Sequence, residues 1–213
     1  MLQLKVIVGS TRSGRAADLV IPWIGRRTRE DARFDVELLD LRDWPLPMFV
    51  ESIATLGDMH DPTYSDPMVK RWNGIVAAAD AYLFVTPEYN HSIPAALKNA
   101  IDSVFASFAF RNKPAAVVAY SGGAVGGARA ADDLAQIGVE AELVPLRNNV
   151  LIPFVQEAFD ETGAPKNPQV DRVAGIMLDD LAWWARALHE ARSLGILPPA
   201  QVRLMAAAEA ANS

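Results

Sequence analysis

Apolar runs of strand length alternate along this chain with longer stretches of helical period. Leu4 to Val8 is a first buried run. From Ala16 to Arg29, the residues Leu19, Val20, Trp23 and Ile24 fall on one face at 3.6 spacing, which predicts a helix. Pro22 lies inside that pattern and predicts a kink or a lost backbone bond near Asp18. Further strands are predicted at Phe34 to Leu39, Ala81 to Thr86, Ala115 to Tyr120 and Val139 to Val144. Helices are predicted at Asp66 to Ala79, with Pro67 in the first turn, and at Ser92 to Phe105, with Ser92 as N-cap and Pro94 in the first turn. Another runs from Gly127 to Ile137 and is closed by Gly138. A long helix spans Val170 to Leu194, and the alanine-rich Ala206 to Ser213 reads as a frayed tail. Arg42 to Ser65 is rich in Pro and Asp, shows no period, and is too long for a simple connector. Such a stretch is either functional or mobile.

Strands that are apolar on both faces and each followed by a helix belong to a parallel sheet covered on both sides. Right-handed crossovers leave few topologies for it. The expected fold class is α/β, a three-layer sandwich with a five-stranded parallel sheet and helices on both faces, for which the flavodoxin-like order 2-1-3-4-5 is one of the two common topologies. The length of 213 residues suits a single domain, with its core at about 2–146 and a C-terminal helical extension at about 153–205.

Composition narrows the function classes. Twenty basic residues against 26 acidic ones give a net charge of −6, which argues against a general nucleic-acid binder. The absence of cysteine excludes disulfides, thiolate nucleophiles and Cys-ligated metals. The run from Met1 to Gly9 resembles a strand and lacks the features of a signal peptide. No apolar run reaches the roughly 18 residues needed to span a bilayer. The expectation is therefore a cytoplasmic protein with no membrane partner.

In a sheet of this order, ligands bind at the carboxyl ends of the strands near the point where strand order reverses. Three loops meet that description. Gly9-Ser10-Thr11-Arg12-Ser13-Gly14-Arg15 leaves a strand and opens a helix, so its amides, hydroxyls and helix terminus favour an anion. Arg12 and Arg15 can neutralise a phosphate monoester. Read alone, the stretch also suits a solvated turn. It misses the Walker A pattern, because Arg15 stands where Lys is needed and Ala16 where Ser or Thr should bind Mg²⁺. That points to a phosphate held rather than transferred. No G-x-G-x-x-G occurs, which disfavours a dinucleotide fold.

The second loop, Thr86 to Asn99, offers a rigid Pro87, an aromatic wall at Tyr89 and the donor and acceptor of Asn90. His91 suits a general acid or, more simply, a surface histidine. Lys98 and Asn99 read as surface or packing residues. The third loop, Tyr120 to Gly127, has four glycines in six positions, so a flat ligand could lie against its backbone, or the helix after it could pack closely.

Together the loops carry a family resemblance. Gly9-Ser10-Thr11-Arg12 with Arg15, Thr86-Pro87-Glu88-Tyr89-Asn90 running into Ile93-Pro94-Ala95-Ala96-Leu97-Lys98-Asn99-Ala100-Ile101-Asp102, and Ser121-Gly122-Gly123 resemble the NADPH-dependent FMN reductases, a flavodoxin-like group that includes quinone, azo-dye and chromate reductases. The resemblance covers residues 2 to 146, and its second block is the specific one. It implies a bound FMN whose phosphate is held by Ser10, Arg12 and Arg15, with the Thr11 hydroxyl a further cofactor-binding candidate of the same loop. It implies an isoalloxazine lined by Pro87, Glu88, Tyr89 and Asn90 and covered at its other edge by Ser121, Gly122 and Gly123. It implies NADPH or NADH as donor, ping-pong hydride transfer at the flavin N5, no catalytic side chain, and a small acceptor such as a quinone, free flavin, azo dye or metal oxyanion. It also implies a homodimer or homotetramer. Pro22 and the aromatic segment after Pro153, with Phe154, Phe159, Trp183 and Trp184, depart from the family pattern. That arm either packs on a partner subunit or covers the chain's own core.

Two other readings share these residues. One is a non-enzymatic flavodoxin-like electron carrier or a flavin-dependent regulatory partner. The other is a serine hydrolase, because Ala119-Tyr120-Ser121-Gly122-Gly123 approximates a nucleophile elbow, with His189 the only later histidine.

Overall fold

The computed structural model describes residues 1–52, 54–56 and 64–211. The elements run β1 Leu2–Val8, α1 Ala17–Arg29, β2 Phe34–Asp40, α2 Pro67–Ala77, β3 Ala81–Pro87, α3 Ala95–Asp102, β4 Pro114–Tyr120, α4 Ala128–Glu140, β5 Val144–Pro145, β6 Val150–Ile152, α5 Pro168–Leu194 and α6 Ala200–Ala211. All strand pairs are parallel, in the order β2-β1-β3-β4-β5, with β6 also pairing β4. This is the expected 2-1-3-4-5 sheet. Register levels its carboxyl edge: Val8 lies opposite Asp40 and Val85, and Tyr120 lies opposite Pro87 and Ile152. The loops that follow these residues rise from one rim.

Both faces of the sheet are covered, which explains why its strands read as continuous apolar runs. β3 and β4 are buried along their whole length. On one face, Val20, Trp23 and Ile24 of α1 join Met177, Leu178 and Leu181 of α5 against Val6, Leu83 and Val118. On the other, Trp72, Leu97 and Leu134 pack against Ile7, Phe84 and Val117. Leu19, expected on the buried face of α1, is instead exposed. The helix continues unbroken through Pro22.

The fifth strand departs from the expectation. Val139 and Glu140 belong to α4, which passes through Gly138 rather than ending there. The helix closes one turn later in a Schellman arrangement: Leu143 N–H donates to Gly138 C=O at 2.8 Å and Glu142 N–H to Val139 C=O at 3.0 Å. Glu142 takes the left-handed conformation, φ 57°, that a glycine usually supplies. The strand position is then shared by two short pieces, β5 and β6. Between them Asn149 stands in for the missing strand, its Oδ1 accepting from Val117 N–H at 2.8 Å.

Two other boundaries differ. Ser92 does not cap α3; its backbone pairs with Tyr89, and Pro94 holds the cap position. The stretch expected to fray is helical from Ala200 to Ala211, with no buried residue, while residues 212 and 213 lie outside the described residues. Chain beyond residue 146 is integral to the sheet, since Val150, Ile152, Val155 and Met177 share the core of β1 and α1. Phe159 packs on Trp23 at 5.9 Å between centroids, whereas Trp183 and Trp184 are exposed and stack edge-on with each other. No described helix is long and apolar enough to cross a membrane.

Candidate functional site

A cavity of about 400 Å³ opens at the carboxyl rim between the loops after β1, β3 and β4. Its walls include Arg12 to Ala16, Pro87, Glu88, Tyr89, Tyr120, Ser121 and Gly122. Its size lies within the roughly 300–1,000 Å³ of small-molecule sites. Val155 and Gln156 complete one side. These two were not anticipated, because they follow β6, a strand whose position the sequence pattern misplaced.

The loop after β1 is built to receive an anion. The amides of Thr11, Arg12, Ser13 and Gly14 donate to no group among the described residues. Gly14 turns the chain at φ 61° into α1, whose N-cap residue, Ala16, has no capping side chain. Gly9 lets the loop start close to α3, since a Cβ there would lie 2.9 Å from Leu97 Cδ2. The two arginines of the loop diverge. Arg12 is exposed and lies over the Tyr89 ring, 3.8 Å from its centroid, with no carboxylate partner among the described residues.

Arg15 does not stand free for a phosphate, as expected above, but braces the loop. Its side chain is 1% exposed. Its guanidinium grips both carboxylate oxygens of Asp40, donates to Asp18 at 2.9 Å, and reaches the carbonyl of Ser10. Burial opposes the charge on each partner, yet the mutual hydrogen bonds win. The Asp40 carboxyl is held below its ordinary range, with Arg42 adding to the effect, and the Arg15 guanidinium is held above its own.

Ser10 is buried beneath the loop, its hydroxyl 2.8 Å from Tyr89 OH, so it links the first loop to the second. Thr11 faces away, into a separate cavity of about 360 Å³ lined by Leu41, Arg42, Trp44 and Leu46. The wall of that cavity is tethered by Asn99, whose Oδ1 accepts from Phe49 N–H and whose Nδ2 donates to Pro47 C=O, both at 2.9 Å. Asn99 is thus the packing residue it was expected to be. Lys98 pairs with Asp102 on the surface of α3.

The second loop is a tight hairpin, with Tyr89 and Ser92 exchanging backbone bonds of 2.8 and 3.1 Å. Asn90 and His91 at its tip have φ of 50° and 69°, the signature of a primed turn. Asn90 is exposed at that tip rather than in the cavity wall. Glu88, which borders the cavity, pairs its carboxylate with Arg129 of α4. His91 Nε2 lies 2.8 Å from an Arg129 guanidinium nitrogen, which can only donate. In that contact His91 Nε2 is placed to accept.

The glycines of the third loop divide by role. A Cβ on Gly127, at φ 89°, would lie 2.6 Å from Tyr120 N, so this glycine serves close packing of α4 on β4. Gly122 and Gly123 have no such constraint and leave an open surface. The Ser121 hydroxyl bonds its own turn, accepting from Gly123 N–H and donating to Gly123 C=O. A hydrolase triad is not assembled. His189 pairs with Asp80, at the start of β3 and the opposite rim, about 20 Å of strand away. The Tyr120 hydroxyl is buried at the cavity near Ser10, and burial, aided by the nearby Tyr89, pushes its pKa up. A neutral phenol can donate to an acceptor in the cavity.

The donor set therefore suits a ligand with an anionic end and a flat, polar-edged body. No group of three or more His, Cys, Asp or Glu suited to a metal occurs among the described residues.

Comparison with known proteins bears on which ligand this is. The sequence pattern that defines NADPH-dependent FMN reductases matches residues 2–173. A Schizosaccharomyces pombe protein named as an NAD(P)H-dependent FMN reductase is 38% identical over 120 residues, covering 56% of this chain and 58% of that protein. A Pseudomonas aeruginosa protein of the same description is 36% identical over 157 residues, covering 72% of this chain and 80% of that one. Among solved structures, a Paracoccus denitrificans flavoenzyme described as an NAD(P)H:(acceptor) oxidoreductase superposes with a TM-score of 0.68 at 24% identity, covering 88% of this chain and 98% of its own.

Proposed function

The chain belongs to the NADPH-dependent FMN reductase family, and from that premise we propose that it is an oxidoreductase holding FMN in the 400 Å³ rim cavity and passing electrons from NADPH or NADH to a small acceptor. The observation that carries this reading is the run of four amides, Thr11 to Gly14, beside the charge of Arg12, none of which has a hydrogen-bond or ion-pair partner among the described residues. It is an anion cradle at the mouth of a cavity walled by an aromatic ring and open glycines. When bound, FMN supplies the redox chemistry, taking a hydride from the nicotinamide and giving electrons to the acceptor.

The chain's own residues bind and orient. Arg12 neutralises the terminal phosphate, which the loop amides hold. Arg15 and Asp40 keep the loop in shape. Ser10, hydrogen-bonded to Tyr89 OH, ties this loop to the turn. Pro87, the Glu88 backbone and Tyr89 wall the ring system, and Gly122 and Gly123 let it approach the backbone. The buried Tyr120 hydroxyl would donate to an acceptor on the bound group. No side chain need act as nucleophile or general acid, and His91 is engaged by Arg129. The cycle proposed is ping-pong, donor and acceptor using the same cavity in turn. The acceptor is a flat or small oxidant of the kind represented by quinones, free flavins, azo dyes or metal oxyanions.

Titration of the flavin-free protein with FMN and with riboflavin tests the assignment. The account predicts saturable binding of FMN, and riboflavin at least about tenfold weaker because it lacks the phosphate. Equal affinity for the two would remove the cradle's role. A protein that binds FMN but is never reduced by NADPH or NADH would be an electron carrier.

A further inference from the structure

The hairpin 88–92 is an unlikely object to stand alone. Two consecutive non-glycine residues at its tip, Asn90 and His91, have the left-handed conformation that L side chains disfavour. Glu88 N–H donates to Tyr120 C=O, and Tyr89 meets Ser10 and Arg12; three further side-chain contacts come from the first two turns of α4. The Arg129 guanidinium meets the Glu88 carboxylate at 2.6 and 2.5 Å and reaches His91 Nε2 at 2.8 Å. Asp133, one turn on, accepts from the Ser92 hydroxyl. Glu88 returns the contact, since its other oxygen accepts from Arg129 N–H at 3.2 Å. That amide belongs to a helix whose N-cap is Gly127, with no side chain to cap it. The Glu88 carboxylate, only 5% exposed, caps α4 from the neighbouring loop.

α4 begins directly after the glycine loop that forms the facing wall of the cavity. The clamp therefore joins two walls, the β3 turn and the β4 loop, into one body. We propose that Arg129 and Asp133 are positioning residues for the flavin site, fixing the spacing of the turn that carries Pro87, Glu88 and Tyr89 against the Ser121–Gly123 loop, and so setting FMN affinity and the flavin's reduction potential. The inference rests on the FMN reading given above. Arg129 acts through the turn and its charge is matched by Glu88, so it is not a direct counterion to the ligand.

The test uses the full chain, stripped of flavin and titrated with FMN, and then a potential measurement on the loaded protein. Arg129→Gln is expected to raise the FMN dissociation constant roughly tenfold, the cost of ordering a freed turn, and to shift the reduction potential. Arg129→Lys keeps the pair with Glu88 but loses the fork to His91, and is expected to recover part of both. Should Arg129→Gln fail to fold, Asp133→Asn, which weakens only the Ser92 contact, decides the matter, with an expected loss of about threefold. Wild-type affinity and potential in a folded Arg129→Gln, or in Asp133→Asn where the former is unfolded, overturns the proposal. Failure of the unmodified protein to bind FMN overturns the functional reading beneath it instead.

Discussion

Arg12 and Arg15 lie three residues apart in one loop, and the structure predicts opposite phenotypes for their loss. Arg12 is exposed, rests on the Tyr89 ring and has no ion-pair partner among the described residues. Its removal should leave the flavin-free protein within about 0.5 kcal/mol of wild type, as for most surface changes. It should weaken FMN by about 1.5–3 kcal/mol, the worth of a charged hydrogen bond, which is roughly 10- to 150-fold in dissociation constant. Arg15 is buried and holds Asp40, whose side chain is itself only 11% exposed. Arg15→Ala leaves that carboxylate without its main partner, an effect of about 3–5 kcal/mol for a broken buried pair. In a chain of this length that corresponds to a fall in melting temperature of about 6–20 °C. Thermal unfolding of both flavin-free variants, with FMN titration of each that folds, provides the assay. The reasoning is refuted if Arg15→Ala melts with wild type, or if Arg12→Ala keeps wild-type FMN affinity.

The same brace makes stability pH-dependent. The folded pKa of Asp40 lies below its unfolded value of about 3.9. Its contribution is thus fully present above pH about 4 and lost as pH falls through the lower folded value. Urea unfolding of Asp40→Asn should be weaker than wild type at neutral pH, with the difference shrinking on acidification; a constant difference would count against the brace. Gly127→Ala should cost at least about 2 kcal/mol, because its Cβ meets the Tyr120 backbone at 2.6 Å. Gly122→Ala should instead leave the melting temperature nearly unchanged while weakening FMN. Asn99→Ala removes both tethers of the 47–49 segment and should cost about 1–3 kcal/mol by chemical denaturation, with little change in FMN affinity because Asn99 borders the other cavity.

Where burial on two faces produced a long apolar run, the sequence was transparent. β3, β4 and the buried Val20, Trp23 and Ile24 of α1 could be read from it, though not the exposed Leu19, and with them the rim on which the site lies. The fifth strand could not. It is two short pieces bridged by the Asn149 side chain, and α4 runs on because Glu142 closes it in a conformation that sequence rules reserve for glycine. Misplacing that strand hid Val155 and Gln156. The three loops of the site were legible as loops, since glycine, proline and hydroxyl residues mark turns by local physics. What their side chains do there was not. Arg12 and Arg15 have the same chemistry on paper, and only the distance to Asp40, 25 residues away in sequence, separates clamp from brace. The Glu88–Arg129 clamp joins residues 41 apart and had no local signal either.

Anaerobic titration of the FMN-loaded protein with NADPH, followed through the visible flavin absorbance, tests the central claim most directly. The account predicts loss of the oxidised flavin spectrum in proportion to NADPH added, up to one equivalent per bound FMN, and its return on adding a quinone. A protein that retains no FMN after loading, or whose bound flavin stays oxidised under excess NADPH and NADH, would contradict it.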